Sequence, residues 1–342
     1  MTGASGIGSW AGIDVFAAVD GVAQTVGAVD SAGTGVRGVP YMPELPARGP
    51  GADMIGRSAA VLAELAVDLQ PSGWRLVDHA GVDMARASSF LQQDKDAVAA
   101  AFYGWDGAFK VSFVGPWTLA ANLRLFRGER VLADEGAVRD VAQALGEGIA
   151  EHVSHIGSLF PQASVILQLD EPSLPAVLSG SLRTSSGYRC HAAVGQDEVV
   201  MVMHQMCDQV RQRSAVKSVV MHCCAPGVSV GLLRRAGADA VAVDVSLLDT
   251  RQWEECAEHL EAGGGLWTGV PVPLNGVMPG ARELAEHVER PLGMLGLGGE
   301  AADLITVTPA CGLAGAVSAS FAAGVQARVV DAAKLFRQDV VA

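Results

Sequence analysis

The chain has little of what marks membrane, secreted or nucleic-acid-binding proteins. No apolar run reaches the ~18 residues of a spanning helix, and the first residues, MTGASGIGSWAG, have no basic segment followed by an apolar one. The 24 Lys and Arg are outnumbered by 37 Asp and Glu, and no basic cluster with interleaved aromatics offsets the net charge of −13. We therefore expect a cytoplasmic protein with no membrane and no nucleic-acid partner.

Cysteine, aromatic residues and charge are also scarce. Six cysteines in 342 residues are too few for a disulfide scaffold, so reduced thiols or metal ligands are expected. Only 18% of the residues are charged, whereas half are apolar and 41 are glycine. This composition is typical of a large buried core with many tight turns between strands and helices.

Short apolar segments alternate with stretches of helical period, which indicates repeated βα units. The eight predicted strands lie at Gly6–Ser9, Val39–Pro43, Lys110–Val114, Val165–Asp170, Ser218–His222, Ala240–Asp244, Leu266–Pro271 and Leu304–Thr308. None alternates cleanly between apolar and polar residues, so both faces of a parallel sheet should be buried. The predicted helices include 51–69, 137–160 and 322–341. We predict an α/β fold, a (β/α)8 TIM barrel forming a single domain over 1–342, with a lid-like loop at 179–196.

Candidate metal ligands follow several predicted strands. His222 and Cys224 are alternate residues of KSVVMHCCAPG, so they should face the same way while Cys223 faces the opposite way. Asp244 ends the strand AVAVDV, and Cys311 lies in VTPACGLAG. Imidazole, thiolate and carboxylate groups are normal zinc ligands, and barrel sites lie at the C-terminal ends of the strands. These residues therefore predict a zinc site.

Several motifs occur in the order found in one known family. They are GIGSW at Gly6, GPWTLA at Gly115, LQLDEPSL at Leu167, the His-x-Cys at His222, Asp244, and Cys-Gly-Leu at Cys311. Together they resemble the C-terminal catalytic barrel of cobalamin-independent methionine synthase, whose superfamily also contains uroporphyrinogen decarboxylase. The resemblance covers most of the chain. It implies that Zn²⁺ is held by His222, Cys224, Asp244 (Glu in the family) and Cys311.

The same resemblance implies an S-methyltransferase that converts homocysteine, or a related thiol, to methionine. Asp170 and Glu44 would bind the amino group of homocysteine, and Ile7 and Ser9 would contact its carboxylate. The methyl donor would be methyltetrahydrofolate or a methylcorrinoid protein. No catalytic residue is assigned.

Three departures from the family bear on the donor. The N-terminal half of the full-length synthase, which helps to bind the polyglutamyl folate, is absent from this sequence. Asn122 occupies the position of the family's pterin-stacking tryptophan, and the general-acid histidine has no counterpart between Thr268 and Gly276. A methylcorrinoid leaves without a proton, so these departures favour it over the folate.

Two other functions remain open from the sequence. A uroporphyrinogen-decarboxylase-like enzyme would need basic groups for several substrate carboxylates, for which Arg48 and Arg57 are candidates, and it would need no zinc. A non-catalytic relative would keep zinc only as a structural ligand. Metal content and an exchangeable ligand position distinguish the three hypotheses.

Overall fold

The computed structural model describes residues 1–297, 299 and 301–341. Its main sheet has eight parallel strands in the order β2-β1-β10-β9-β8-β7-β6-β5. These strands are β1 Thr2–Ser5, β2 Val36–Val39, β5 Ala108–Val114, β6 Ser164–Asp170, β7 Ser218–Cys223, β8 Ala240–Asp244, β9 Gly265–Val270 and β10 Ile305–Pro309. The sheet curls into a nearly closed barrel surrounded by helices, which confirms the predicted (β/α)8 TIM barrel.

The barrel closes between β2 and β5, the two edge strands of the sheet, just beyond the C-terminal end of β2. Tyr41 forms a parallel bridge with Lys110 of β5. The Met42 N–H donates to the Lys110 carbonyl at 3.0 Å, and the Lys110 N–H donates to the Pro40 carbonyl at 2.9 Å. These two bonds replace a longer ladder between β2 and β5.

Twelve α-helices lie in the described part of the chain. They are α1 Val15–Val22, α2 Ser31–Thr34, α3 Met54–Ala59, α4 Val82–Ala101, α5 Pro116–Asn122, α6 Glu135–Leu159, α7 Leu174–Ser179, α8 Gln196–Arg213, α9 Val230–Arg235, α10 Thr250–Glu261, α11 Ala281–Met294 and α12 Ala319–Val341. None of these helices combines the length and the apolar character needed to cross a bilayer. The predicted helices 137–160 and 322–341 match α6 and α12 closely.

Side chains on each strand alternate between two apolar environments. The inward side chains form a small cluster inside the barrel that includes Ile166, Val220, Ala242 and Trp267. The outward side chains join a much larger core against the helices. Burial on both faces explains why the strand segments are nearly continuous apolar runs.

The first two predicted strands are displaced from the observed ones. β1 ends at Ser5, so Gly6–Ser9 is the loop that follows it rather than the strand itself. β2 ends at Val39, because Pro40 and Pro43 have no N–H to donate to a ladder. Both errors place the predicted strand a few residues too far along the chain.

The predicted helix 51–69 is wrong for most of its length. Only α3 is helical, and Glu64 has a φ of 60°, in the left-handed region that interrupts a helix. The chain then forms an antiparallel hairpin, β3 Ala66–Gln70 and β4 Gly73–Val77, outside the barrel. Hairpin pairing with the neighbouring segment 73–77 overrides the helical period there.

The predicted lid-like loop corresponds to residues 180–195, between α7 and α8. A bridge between Arg183 and Cys190 folds it back on itself. The His191 N–H donates to the Leu182 carbonyl at 2.8 Å. The loop follows β6 and so belongs to the C-terminal face of the barrel.

Two glycines of α6 allow a test of helix packing against the barrel. A Cβ on Gly148 would lie 1.6 Å from the Val61 carbonyl oxygen, whereas a Cβ on Gly157 would meet nothing within 4 Å. We expect Gly148→Ala to destabilise the fold by about 1–3 kcal/mol through overpacking. Gly157→Ala should instead stabilise it by up to ~1 kcal/mol through helix propensity. Thermal unfolding midpoints of both variants test this, and equal midpoints would contradict it.

Candidate functional site

A cavity of about 320 Å³ opens at the C-terminal ends of the barrel strands. Seven of the eight residues that the sequence predicts as site residues line it; only Asp244 does not. The lining consists of Ile7, Gly8, Ser9, Glu44, Pro46, Asp53, Met54, Asp170, Pro172, His222, Cys224, Cys311 and Gly312. The fold thus gathers residues from the ends of five different strands, and from the connections that follow them, into one site.

His222 and Asp170 form a close buried pair in this cavity. Residues 170 and 222 face each other in register across β6 and β7, and His222 Nδ1 lies 2.6 Å from Asp170 Oδ1. A carboxylate partner favours the proton on Nδ1, which leaves a lone pair on Nε2. That Nε2 atom is buried and has no hydrogen-bond partner among the described residues. This is the arrangement expected of a metal-binding imidazole oriented by a carboxylate.

A chain of hydrogen bonds from the barrel interior fixes Asp170. Gln168 Nε2 donates to Asp170 Oδ1 at 2.7 Å, and Gln168 Oε1 accepts from the Lys110 ammonium. Lys110 Nζ, Gln168 Nε2 and Ser112 Oγ also donate to the Ile7 carbonyl oxygen. The Lys110–Gln168–Asp170 relay therefore orients both His222 and the loop after β1.

Lys110 is a buried cation at the centre of the relay. Burial lowers the pKa of its ammonium to about 7, although Asp170 and Glu44 oppose this shift. Its Nζ also lies 5.2 Å from the centre of the Tyr41 ring and 5.6 Å from that of Trp267. Two acceptors and two aromatic faces thus compensate its loss of water.

Two cysteine thiols line the same cavity as the His222 imidazole. Cys224 Sγ and Cys311 Sγ are 3.6 Å apart. Two sulfurs bound at ~2.3 Å to one tetrahedral zinc would be about 3.8 Å apart. Cys223 points the other way, into the core between the sheet and the helices. The spacing of this pair therefore suits a shared soft metal ion.

The contact between the two thiols gives them different acidities. The hydrogen bond from Cys224, and then the nearby His222, lower the pKa of the Cys311 thiol below its usual value, against the effect of burial. The same hydrogen bond, together with burial, raises the pKa of Cys224. Cys311 is therefore the more readily ionised of the pair.

Asp244 does not reach the cavity. Its Oδ1 accepts from the Ser246 N–H at 2.9 Å and from Ser246 Oγ at 2.6 Å, so it caps the short helical turn Val245–Leu247. Across the described residues, no group of three or more His, Cys, Asp or Glu side chains is arranged to hold a metal ion. His222 Nε2 and the two sulfurs suit zinc chemically, and the four-ligand set stays a prediction.

Glu44 lies on the opposite wall of the cavity. Burial raises the pKa of its carboxyl to about 7, while the Arg57 guanidinium, with Nε at 3.9 Å, opposes that shift. Arg57 and Arg48 both pair with the fully buried Asp94. These arginines are therefore engaged inside the wall, and neither is free to bind several carboxylates of a tetrapyrrole.

The loop after β1 supplies backbone groups to the same cavity. The Glu44 N–H donates to the Gly8 carbonyl, and the Trp10 N–H donates to the Glu44 carbonyl. The N–H groups of Gly8 and Ser9 donate to no acceptor among the described residues. Gly312 allows this loop to approach, since a Cβ there would lie 1.9 Å from Ser9 Oγ.

Lys110 and Gln168 were not predicted as site residues. The sequence carries a signal for both, because a lysine within the apolar run FKVSFV needs a buried partner and Gln168 is two residues before Asp170. Asp53, Met54 and Pro172 also line the cavity. They lie on connections whose course depends on tertiary packing.

Neither Trp117 nor Asn122 of α5 offers a face on which a pterin could stack. The Trp117 side chain is buried, and its Nε1 donates to the Val199 carbonyl at 3.3 Å. Asn122 Nδ2 donates to the Thr118 carbonyl at 2.8 Å. Both side chains therefore have structural partners.

The fold is similar to that of several solved enzymes. A B12-independent methionine synthase from Shewanella sp. W3-18-1, in complex with selenomethionine, aligns with a TM-score of 0.50 and 15% identity over 79% of this chain and 72% of that one. A β-galactosidase from the psychrophilic Marinomonas ef1 aligns with a TM-score of 0.37 and 13% identity over 84% and 58%. No protein-family model and no curated protein matches the chain. At these identities the likeness shows the barrel fold alone.

The different acidities of the cysteines predict selective alkylation. In protein treated with a chelator, we expect iodoacetamide to label Cys311 before Cys224, because the hydrogen bond between them lowers the pKa of Cys311 and raises that of Cys224. Burial raises the pKa of Cys207, Cys223 and Cys256 to about 12, so these thiols should react slowly. Labelling of Cys311 should slow as the pH falls and its thiolate is protonated. Peptide mass spectrometry measures this, and earlier labelling of Cys224 would contradict it.

Proposed function

We propose that this protein transfers a methyl group to the thiol of homocysteine, or of a related thiol, with a bound zinc ion as cofactor. The observation that carries the proposal is the buried His222 Nε2, without a hydrogen-bond partner among the described residues, in the cavity that Cys224 and Cys311 also line. The barrel shared with a B12-independent methionine synthase supports the same reaction class. So does the order of the sequence motifs.

His222, Cys224 and Cys311 would hold the zinc. Bound zinc deprotonates a coordinating thiol, which turns a substrate that is mostly protonated at neutral pH into a thiolate. Three protein ligands with an open fourth position are typical of catalytic zinc sites. Asp244 would have to give up its hydrogen bonds with Ser246 to complete a four-ligand set.

The cavity walls supply partners for both ends of an amino acid. The Glu44 carboxylate and the free Oδ2 of Asp170 suit the substrate ammonium, since charge-assisted hydrogen bonds are strong in buried sites. The unpaired N–H groups of Gly8 and Ser9 suit its carboxylate. These contacts would hold the sulfur within ~3–3.5 Å of the methyl carbon and in line with the bond that breaks.

A methylcorrinoid is the donor that the site suits better. When its methyl group moves, the sulfur–carbon bond forms, the cobalt–carbon bond breaks and the electron pair stays on reduced cobalt, so no proton reaches the leaving group. The thiol proton passes to solvent. A folate donor needs protonation at its leaving nitrogen, and the segment Thr268 to Gly276 holds no histidine for this.

Zinc content and turnover test this function together. We expect about one zinc per chain, lost in Cys224→Ser and Cys311→Ser but kept in the control Cys223→Ser, whose side chain faces the helices. X-ray absorption at the zinc edge should gain one sulfur ligand when homocysteine is added. The wild type should form methionine from methylcobalamin, and both ligand variants should not.

The results distinguish the candidate functions. Metal-free wild-type protein, or no methionine from any corrinoid or folate donor, would remove the proposal. Bound zinc whose coordination does not change on adding homocysteine would instead support a structural metal in a non-catalytic protein.

Two adjacent buried carboxylates provide a matched test of the His222 orientation. We expect Asp170→Asn to weaken zinc binding by about 10- to 100-fold, as loss of a carboxylate behind a metal-binding histidine typically does. Glu171 instead accepts from the Trp117 and Thr118 N–H groups at the start of α5. Glu171→Gln should therefore lower the unfolding temperature and leave zinc affinity unchanged. Zinc affinity is measured by competition with a chelating dye, and equal losses would contradict the assignment.

A further inference from the structure

The C-terminal face of the barrel carries a basic patch on an otherwise acidic protein. It consists of Arg124, Arg127, Arg130, Arg183 and Arg189, from the connections that follow β5 and β6. The sequence predicts no basic cluster with interleaved aromatics, and the structure corrects this expectation. LRLFRGER (residues 123–130) is brought against the loop 180–195, which adds two more arginines.

None of these five arginines forms an ion pair with a carboxylate in the described part of the chain. Arg124 donates to the Ser72 and Gly128 carbonyls and to Ser185 Oγ. Arg130 donates to the Arg183 and Ala121 carbonyls. Burial, with the neighbouring Arg124, lowers the pKa of Arg130. These neutral partners hold the side chains in place without cancelling their charge.

One acidic residue, Glu129, lies among these arginines, but its carboxylate contacts Ser185 and His191 rather than an arginine side chain. Glu129 accepts from the Ser185 N–H and Oγ and lies 3.4 Å from His191 Nε2. Its carboxylate therefore joins the two segments of the patch and balances one of five positive charges. A positive field remains at this rim, where the net charge of the whole chain is −13.

Exposed aromatic rings lie within the patch. Tyr188 is 94% exposed and Phe126 is 66% exposed, with the Arg75 guanidinium 5.7 Å from the centre of the Phe126 ring. Tyrosine and arginine are the side chains most enriched at the energetic centres of protein interfaces. Small ligands bind in concave sites instead, whereas these side chains project outward.

The position of the patch relates it to the cavity. α5 begins directly after β5, its start is capped by Glu171 next to Asp170, and it ends at Asn122, before the arginines. Seven helical residues span about 10 Å. The loop 180–195 reaches the same region from Pro172, which lines the cavity. A partner on the patch would therefore lie beside the cavity, on the same face of the barrel.

We propose that the arginine patch docks a second protein with an acidic surface, which presents its methyl group to the cavity. Its identity as the methyl carrier rests on the proposed function, while the docking itself rests on the charge and exposure of the patch. Opposite charges at the rim of an interface mainly speed association, so salt should weaken the complex.

The experiment reverses charge at the two exposed arginines that make no side-chain hydrogen bond, Arg127 and Arg189. The variant is R127E/R189E. The matched control is R37E/K217E, which changes the net charge equally. Arg37 and Lys217 are exposed at the start of β2 and just before β7, at the opposite end of the barrel.

The probe is an acidic recombinant corrinoid protein carrying methylcobalamin. Biolayer interferometry gives its affinity over a salt series, and steady-state kinetics give KM for this protein and for free methylcobalamin. We expect R127E/R189E to raise both Kd and the protein-donor KM by about tenfold or more at low salt, with kcat for free methylcobalamin unchanged. R37E/K217E should match the wild type.

Three results would overturn the docking. The first is an equal rise of Kd and KM in both variants, and the second is no change of Kd or KM in either variant. The third is a loss of activity confined to triglutamyl methyltetrahydrofolate as the donor, which would make the patch a site for a small polyanion. Failure of the proposed function is seen separately, as absence of methionine from free methylcobalamin in the wild type. In that case the binding measurement still decides whether the patch docks the acidic protein.

Discussion

The site depends on the hydrogen bond between His222 and Asp170. It exists because β6 and β7 are neighbours in register, which places residues 170 and 222 opposite each other at the mouth of the barrel. The bond selects the imidazole tautomer and turns Nε2 towards the cavity. Gln168 and Lys110 continue it into the barrel interior, so the orientation of the imidazole is determined by buried groups rather than by a flexible loop. An imidazole held in this way needs little reorganisation when a metal ion binds to it.

The Lys110–Gln168–Asp170 relay and the cavity wall behind Glu44 contain buried charged side chains, and each of these has a hydrogen-bonding or oppositely charged partner. Lys110 has two acceptors, and Arg57 and Arg48 share Asp94 on the far wall. Removing a single partner would leave an uncompensated buried charge, which costs far more than a lost surface ion pair. The charged groups therefore constrain one another's positions. The low dielectric of their surroundings also strengthens the field acting on whatever binds there.

The barrel and the convergence of the residues at its strand ends are predictable for one physical reason, whereas Ile7, Ser9 and Glu44 are implied only by the family resemblance. Strand side chains have a period of two, and parallel strands end at the same face, so His222, Cys224 and Asp170 had to point towards a common centre. The structure departs from the expectation in two places. Asp244 follows the same period, but its carboxylate accepts from Ser246 in the next turn, and the segment 66–77 forms a hairpin where the sequence has a helical period. The arginine patch likewise needs two segments about 60 residues apart, which only the fold brings together.

The proposed donor explains two features that otherwise have no common cause. A folate site needs an aromatic platform and a proton source, yet Trp117 is committed to the core and Asn122 to the Thr118 carbonyl. A corrinoid carried by a protein needs neither, but it needs an outer surface that orients the carrier over the thiolate. The side of the barrel on which Trp117 and Asn122 have structural partners also carries arginines that form no ion pair among the described residues, on the connections after β5 and β6. Under the proposed function, both features serve a donor that is carried by a protein, and both lie at one rim of the barrel.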